Sequence, residues 1–202
     1  MDKLSKQEIK ILKAAKTIFL RDGFEGAKTQ EIADKAKVNK ALLHYYFRSK
    51  EGLFEKVAAK AFLQFSKPFA SLNNEDKSFL ERLDQFILQM VDLTRKEPAL
   101  VSFIIQAMQH QPELLPARFS EQLVVEDFIQ TMKNGAKQGF LRVQDVEAAW
   151  LTVLSMLLGA ALLAPLAERT LTNPNESLER YFQALPSQIK GILIGYCSRT
   201  IK

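Results

Sequence analysis

The chain has 202 residues, 47% of them hydrophobic and 25% charged, with 28 Lys+Arg against 23 Asp+Glu and a formal charge of +5. These are ordinary proportions for a globular protein, and the length allows a small head and one further core. The single cysteine, Cys197, excludes an internal disulfide and fits a reducing cytosol.

The charge is unevenly placed. Residues 1–60 hold 14 Lys+Arg against 8 Asp+Glu, and residues 61–202 hold 14 against 15. Basic charge gathered on one segment is the footprint of a polyanion binder, although an acidic protein or membrane surface would be attracted as well.

The N-terminus, MDKLSKQEIK, is polar and reads directly into a helix, so no signal peptide is expected. Residues 6–22 place Ile11, Leu12, Ala15, Ile18 and Phe19 on one face, with Lys10, Lys13 and Lys16 solubilising the other. Asp22-Gly23 should end this helix.

Residues 29–50, TQEIADKAKVNKALLHYYFRSK, read as two short helices around a tight turn. Ile32, Ala33 and Ala36 recur at helical spacing on the first, Leu43, Tyr46 and Phe47 on the second, and Val38 fills the turn. Ala33 is small enough for close approach at a steep crossing. Thr29 is expected to cap the first helix, with Glu31 favourable to its dipole, and Ser49 to cap a further helix over 50–69. Asn39, Lys40, Ala41, His44 and Tyr45 are left facing outward, which suits insertion into a major groove. Asn39 could pair with adenine and Lys40 with guanine edges.

With ILKAAKTIFLRDGF, TQEIADKAKV and HYYFRSKEGLF in place, residues 6–55 resemble the DNA-binding domain of the TetR family of bacterial transcriptional regulators. The resemblance implies phosphate contacts through Thr29, His44 and Lys50, with Lys40 a further contributor and Lys28 and Ala41 further DNA-contact candidates, while sequence discrimination is expected at Asn39, Lys40, His44 and Tyr45. The sequence departs from the family pattern at Ala41, Leu42 and His44.

Beyond the head, helices are expected over 77–96, 99–110, 116–138, 145–168 and from 176, the last divided by Pro186. The expected fold is therefore all-α: residues 1–50 form a helix-turn-helix head, and residues 51–202 form a larger effector-binding and dimerisation domain. Residues 148–167 are twenty residues without a charge, the length of a membrane span. No Lys/Arg cluster flanks them, which favours a buried helix with one face toward the core and one toward a partner subunit.

The resemblance implies a homodimer built from the last two long helices, with Val153, Leu157, Ile189, Ile192, Leu193 and Tyr196 as interface residues. It also implies a small, largely apolar effector. Candidate contacts are Phe62, Phe65, Phe86, Met90, Phe103, Gln106, Met108, His110, Trp150 and Thr152, all of which could equally be core.

No zinc spacing, phosphate loop, nucleotide fingerprint or nucleophile elbow occurs in the sequence, and neither a cofactor nor a metal is expected. The sequence reads as a non-enzymatic, cytoplasmic repressor of palindromic operator DNA. The alternative is a helical adaptor that has kept the head without operator binding.

Overall fold

A computed structural model of the chain describes residues 5–110, 125–141 and 143–193; at 110, 125 and 127 only the backbone is described. These residues are helical and contain no strand. The helices are α1 (Lys6–Gly26), α2 (Thr29–Ala36), α3 (Lys40–Phe47), α4 (Lys50–Phe65), α5 (Phe79–Lys96), α6 (Pro98–His110), α7 (Val125–Lys137), α8 (Val146–Thr170) and α9 (Pro174–Leu193), with a 3-10 segment at Lys67–Asn73. The chain divides into two compact units, Met1–Phe65 with Ser102–Phe119, and Ser66–Val101 with Ser120–Lys202. Their boundary falls at Phe65, so α4 groups with the head.

The first unit is built on α1. Ser5 accepts from the Glu8 amide (3.2 Å) while the Glu8 carboxylate accepts from the Ser5 amide (2.8 Å), a reciprocal cap that satisfies two orphan donors. Ile11, Leu12, Ala14, Ala15, Ile18 and Phe19 are buried against α2 and α4. Gly23 breaks the helical path where the sequence places the stop, at φ 69°, a left-handed value that favours glycine. The chain then makes one further turn to Gly26. Phe54 of α4 meets Phe19 and Phe24 edge-on at 5.1 Å each and lies 5.4 Å from Phe103 of α6.

The second unit has an aromatic centre. Trp150 of α8 lies 5.3 Å from both Phe86 and Phe128, and Phe69 stands edge-on to Phe86 at 5.1 Å. Helices α5, α8 and α9 pack on one another. Thr94 hides its hydroxyl by donating to the Leu157 carbonyl (3.1 Å), and Tyr181 donates to the Met156 carbonyl (2.9 Å). Burial raises the Tyr181 phenol pKa.

Two helix boundaries differ from expectation. α4 stops at Phe65 because Pro68 follows, and the chain tightens into the 3-10 segment instead of continuing to 69. Pro186 does not divide the last helix, which runs through it from Pro174. Of the helix expected over 116–138, the described part is Val125–Lys137.

Helix α8 is long and apolar enough to cross a membrane. Its buried side, Val146, Ala149, Trp150, Val153, Leu157, Ala160 and Ala161, forms one stripe. The opposite stripe, Leu151, Leu162, Leu163 and Leu166, is exposed. One face therefore lines the core, as the sequence implies.

Candidate nucleic-acid interface

The hairpin of α2 and α3 is held from beneath. Ile32 and Ala33 of α2 and Leu43 of α3 are fully buried, with Ala36 and Phe47 nearly so. At zero exposure, Ala33 leaves no room for a longer side chain. The turn is closed by Lys37 in the left-handed conformation (φ 56°, ψ 46°), whose amide bonds back to the Asp34 carbonyl at 3.0 Å. At the far end, the Ser49 hydroxyl accepts from the Gly52 amide (3.1 Å), confirming the expected cap. A Cβ on Gly52 would lie 2.7 Å from the Phe47 carbonyl oxygen, so this close approach of α3 and α4 requires glycine.

This support leaves one face of α3 open. Asn39, Lys40, Ala41, His44 and Tyr45 are all exposed, as the helical spacing predicts. Tyr45 is 79% exposed, and its ring stands edge-on to that of Tyr46 at 5.3 Å. The His44 Nδ1 lies 2.7 Å from the Arg48 carbonyl oxygen, which can only accept. Nδ1 therefore carries a proton and donates to that carbonyl.

Asn39 is not free in the way the sequence suggests. Its Oδ1 accepts from the Leu42 amide at 2.7 Å and caps α3. Bidentate pairing with adenine uses the same oxygen, which would then have to accept two bonds at once. Asn39→Ala should therefore cost the hairpin about 0.5–2 kcal/mol through loss of the cap. Denaturant unfolding with Lys40→Ala as control would show it; equal stability of the two variants would mean the cap is immaterial.

Thr29 is the second correction. It is the first residue of α2, not its cap; Lys28 holds the cap position and makes no side-chain bond there. The first amides of α2 are thus open to an anion. Glu31, which would repel that anion, is tied by Arg21 at 2.7 Å, and the same guanidinium holds Asp22 at 2.6 Å. This pairing lowers the Asp22 carboxyl pKa below its usual range. Lys50 is folded back: its Nζ lies 3.3 Å from the Glu25 carbonyl oxygen and 4.6 Å from the centre of the Phe24 ring.

The residues considered for an effector are divided between the two units. Phe62, Phe65, Phe103, Gln106 and Met108 fall in the first unit, and Phe86, Met90, Trp150 and Thr152 in the second. Phe62, Phe86, Met90 and Trp150 are buried core, and Thr152 is exposed, bonded to the Ala148 carbonyl (2.9 Å). Of the whole set, Phe103 and Gln106 share a described cavity of about 290 Å³, with Asp22, Gly23, Phe24, Glu25, Phe54 and Ala107. No periodicity in the sequence points to this space, which the break at Gly23 borders. The side chain of His110 lies outside the described residues.

The residues considered for dimerisation are mostly turned inward. Val153, Leu157, Ile189 and Leu193 have no exposure, because they fill the core between α5, α8 and α9. Ile192, at 38%, faces out. Tyr196 and Cys197 lie outside the described residues. The outward leucines of α8 were missed because a helix apolar all round gives no periodic signal of its orientation.

The family model for bacterial regulatory proteins of the tetR family matches residues 11–57, which span this whole hairpin and its supports. Over these residues the chain carries the DNA-binding domain of the tetR family of bacterial regulatory proteins. It is 29% identical over 133 residues to a probable HTH-type transcriptional regulator, YttP, of Bacillus subtilis, covering 64% of each chain. It is 32% identical over 113 residues to the HTH-type transcriptional repressor NicS of Pseudomonas putida, covering 56% of this chain and 52% of that one. The matches thus span less than two thirds of these two relatives. With the regulator UidR of Escherichia coli the match extends over 91% of both chains at 23% identity.

Among solved structures, the putative transcriptional regulator SCO4942 from Streptomyces coelicolor superposes with a TM-score of 0.68 at 20% identity, covering 93% of this chain and 98% of that one. A linker-substituted mutant of HlyIIR does so with a TM-score of 0.66 at 24% identity, covering 94% and 98%. These likenesses establish the TetR fold, an N-terminal head followed by a helical domain. TetR-family proteins are non-enzymatic transcription factors.

Proposed function

We propose that the chain is a cytoplasmic transcriptional repressor that binds a palindromic operator as a homodimer, inserting α3 of each head into the major groove. The observation that carries this reading is the open face of α3. Lys40, Ala41, His44 and Tyr45 are exposed together on a helix whose other side is fully spent on packing. A cation, an imidazole, a small residue and an amphipathic ring are groups that can read base edges and the thymine methyl. The open amides of α2, with Lys28 and Thr29 beside them, suit a phosphate, and Lys50 suits another.

Dimerisation supports the reading because one hairpin contacts too few base pairs for specificity. The outward leucines of α8 supply an apolar face for a second copy. A small, largely apolar effector, held by the part of the chain that follows the head, modulates DNA affinity. Repression is the activity that NicS carries in its name.

The direct test is selection of preferred sites from randomised duplex DNA, repeated with Lys40→Ala, His44→Ala and Tyr45→Ala. Each lost base contact should relax the preference at its position by about 1–3 kcal/mol. An unaltered preferred site in all three variants defeats the assignment. Absence of any duplex binding by the unmodified protein favours an adaptor that has kept the head.

A further inference from the structure

We propose that a lysine-lined groove between α1 and the end of α2 is a second phosphate-binding surface, which grips duplex DNA beside the stretch read by α3. Lys10, Lys13, Ala14 and Thr17 of α1 face Lys35, Ala36 and Lys37 of the α2 end across an open groove of about 420 Å³. All four lysines are exposed. Among the described residues none of them forms a salt bridge or a side-chain hydrogen bond.

The acids nearest in sequence are engaged elsewhere. Glu8 closes the cap on Ser5, Asp34 accepts from Gln30 at 2.9 Å, and Glu31 holds Arg21. Lys16 is drawn off to Gln64 at 3.2 Å, which distinguishes it from the four. Three small residues, Ala14, Thr17 and Ala36, leave the floor low enough for a phosphate chain to enter.

Lys37 adds an independent argument. It occupies the left-handed position at the end of α2, where Gly or Asn is the usual residue. A lysine there puts a charge at the mouth of the groove at a conformational cost. That mouth is two residues from Asn39, which caps α3, so the groove opens at the leading end of the reading helix. Lys50 follows the other end of α3. Cations at both ends of α3 suit the two phosphate chains that border a major groove.

The occupant is DNA and not an acidic protein. The groove offers four point charges and no large apolar side chain, whereas a protein partner needs a desolvated apolar centre. Lysine suits phosphate as a flexible point charge, without the planar fork of arginine.

This inference rests on the proposed docking of α3, and its test separates the two. Phosphate contacts carry no sequence information, so the probe is random-sequence duplex DNA, long enough to extend a helical turn beyond the hairpin on either side. Association is measured against salt for the unmodified protein and for a variant with Lys10→Gln, Lys13→Gln, Lys35→Gln and Lys37→Gln. A control of equal net charge carries Lys67→Gln, Lys77→Gln, Lys96→Gln and Lys137→Gln. Each contact contributes about 0.9 to the log–log slope, so two to four contacts should flatten it by about 1.8–3.6, with the control unchanged.

Equal slopes for the variant and the control overturn the groove. No binding by the unmodified protein overturns the docking of α3 instead. If the fourfold variant loses its helical circular dichroism, the pairs Lys10→Gln with Lys13→Gln and Lys35→Gln with Lys37→Gln are read by the same criterion.

Discussion

Phe54→Ala should remove about 3–5 kcal/mol from the stability of the head, the range for truncating a buried aromatic. Phe54 is 1% exposed and stands edge-on to Phe19 and Phe24, with Phe103 beyond, so one substitution strips three aromatic contacts. The cavity of about 290 Å³ that Phe54 shares with Gly23 and Gln106 gives the neighbouring rings room to collapse. That relaxation should place the cost toward the lower end of the range. Denaturant unfolding followed by circular dichroism measures it, and DNA binding should be lost at a lower denaturant concentration than in the unmodified protein. A cost below about 1 kcal/mol would mean that the aromatic cluster is not what holds α1, α4 and α6 together.

The head was legible in the sequence for a physical reason. A short hairpin has a single partner surface, so each position faces either the core or the solvent, and the 3.6-residue period reports which. Ile32, Ala33, Leu43 and Phe47 followed that rule, as did the exposed Lys40, His44 and Tyr45. What spacing could not convey was the choice made by a side chain with two uses. Asn39 spends its oxygen on a cap, Lys50 lies on Phe24, and Thr29 begins a helix instead of capping it.

The second unit was legible as helices but not as faces. In α8 nearly every residue is apolar, so the pattern could not distinguish Val153, which is buried, from Leu163, which is exposed. The aromatic residues behaved likewise. Phe86, Phe128 and Trp150 pack on one another at 5.3–6.5 Å, and only three-dimensional contact shows that they fill space instead of lining it. The groove on α1 had the opposite fault. Lys10 and Lys13 read as a solvated face because Lys35 and Lys37, which complete the groove, lie on another helix.

The orientation of α8 leads to the other large effect. Leu163→Glu should convert the protein to a monomer and abolish operator binding by the paired heads. Leu163 is 58% exposed and lies with Leu151, Leu162 and Leu166 on the side of α8 away from the core, so the substitution leaves the protomer's packing intact. In a twofold dimer the same residue enters the interface from both copies, and the penalty is paid twice. Truncating one partner of a buried ion pair, which leaves an uncompensated buried charge, costs about 3–5 kcal/mol; an introduced carboxylate with no partner is in the same position. Even one such charge would weaken association by at least two powers of ten. Leu193→Glu would not serve, because Leu193 is buried within the protomer and its substitution would unfold the unit. Sedimentation velocity at micromolar concentration, with a thermal melt to confirm folding, measures the outcome. Operator affinity should fall with the dimer, while the weak, salt-dependent affinity of a single head for any duplex persists. A Leu163→Glu protein that still sediments as a dimer would place the self-association surface elsewhere and leave the exposed leucines of α8 to another partner.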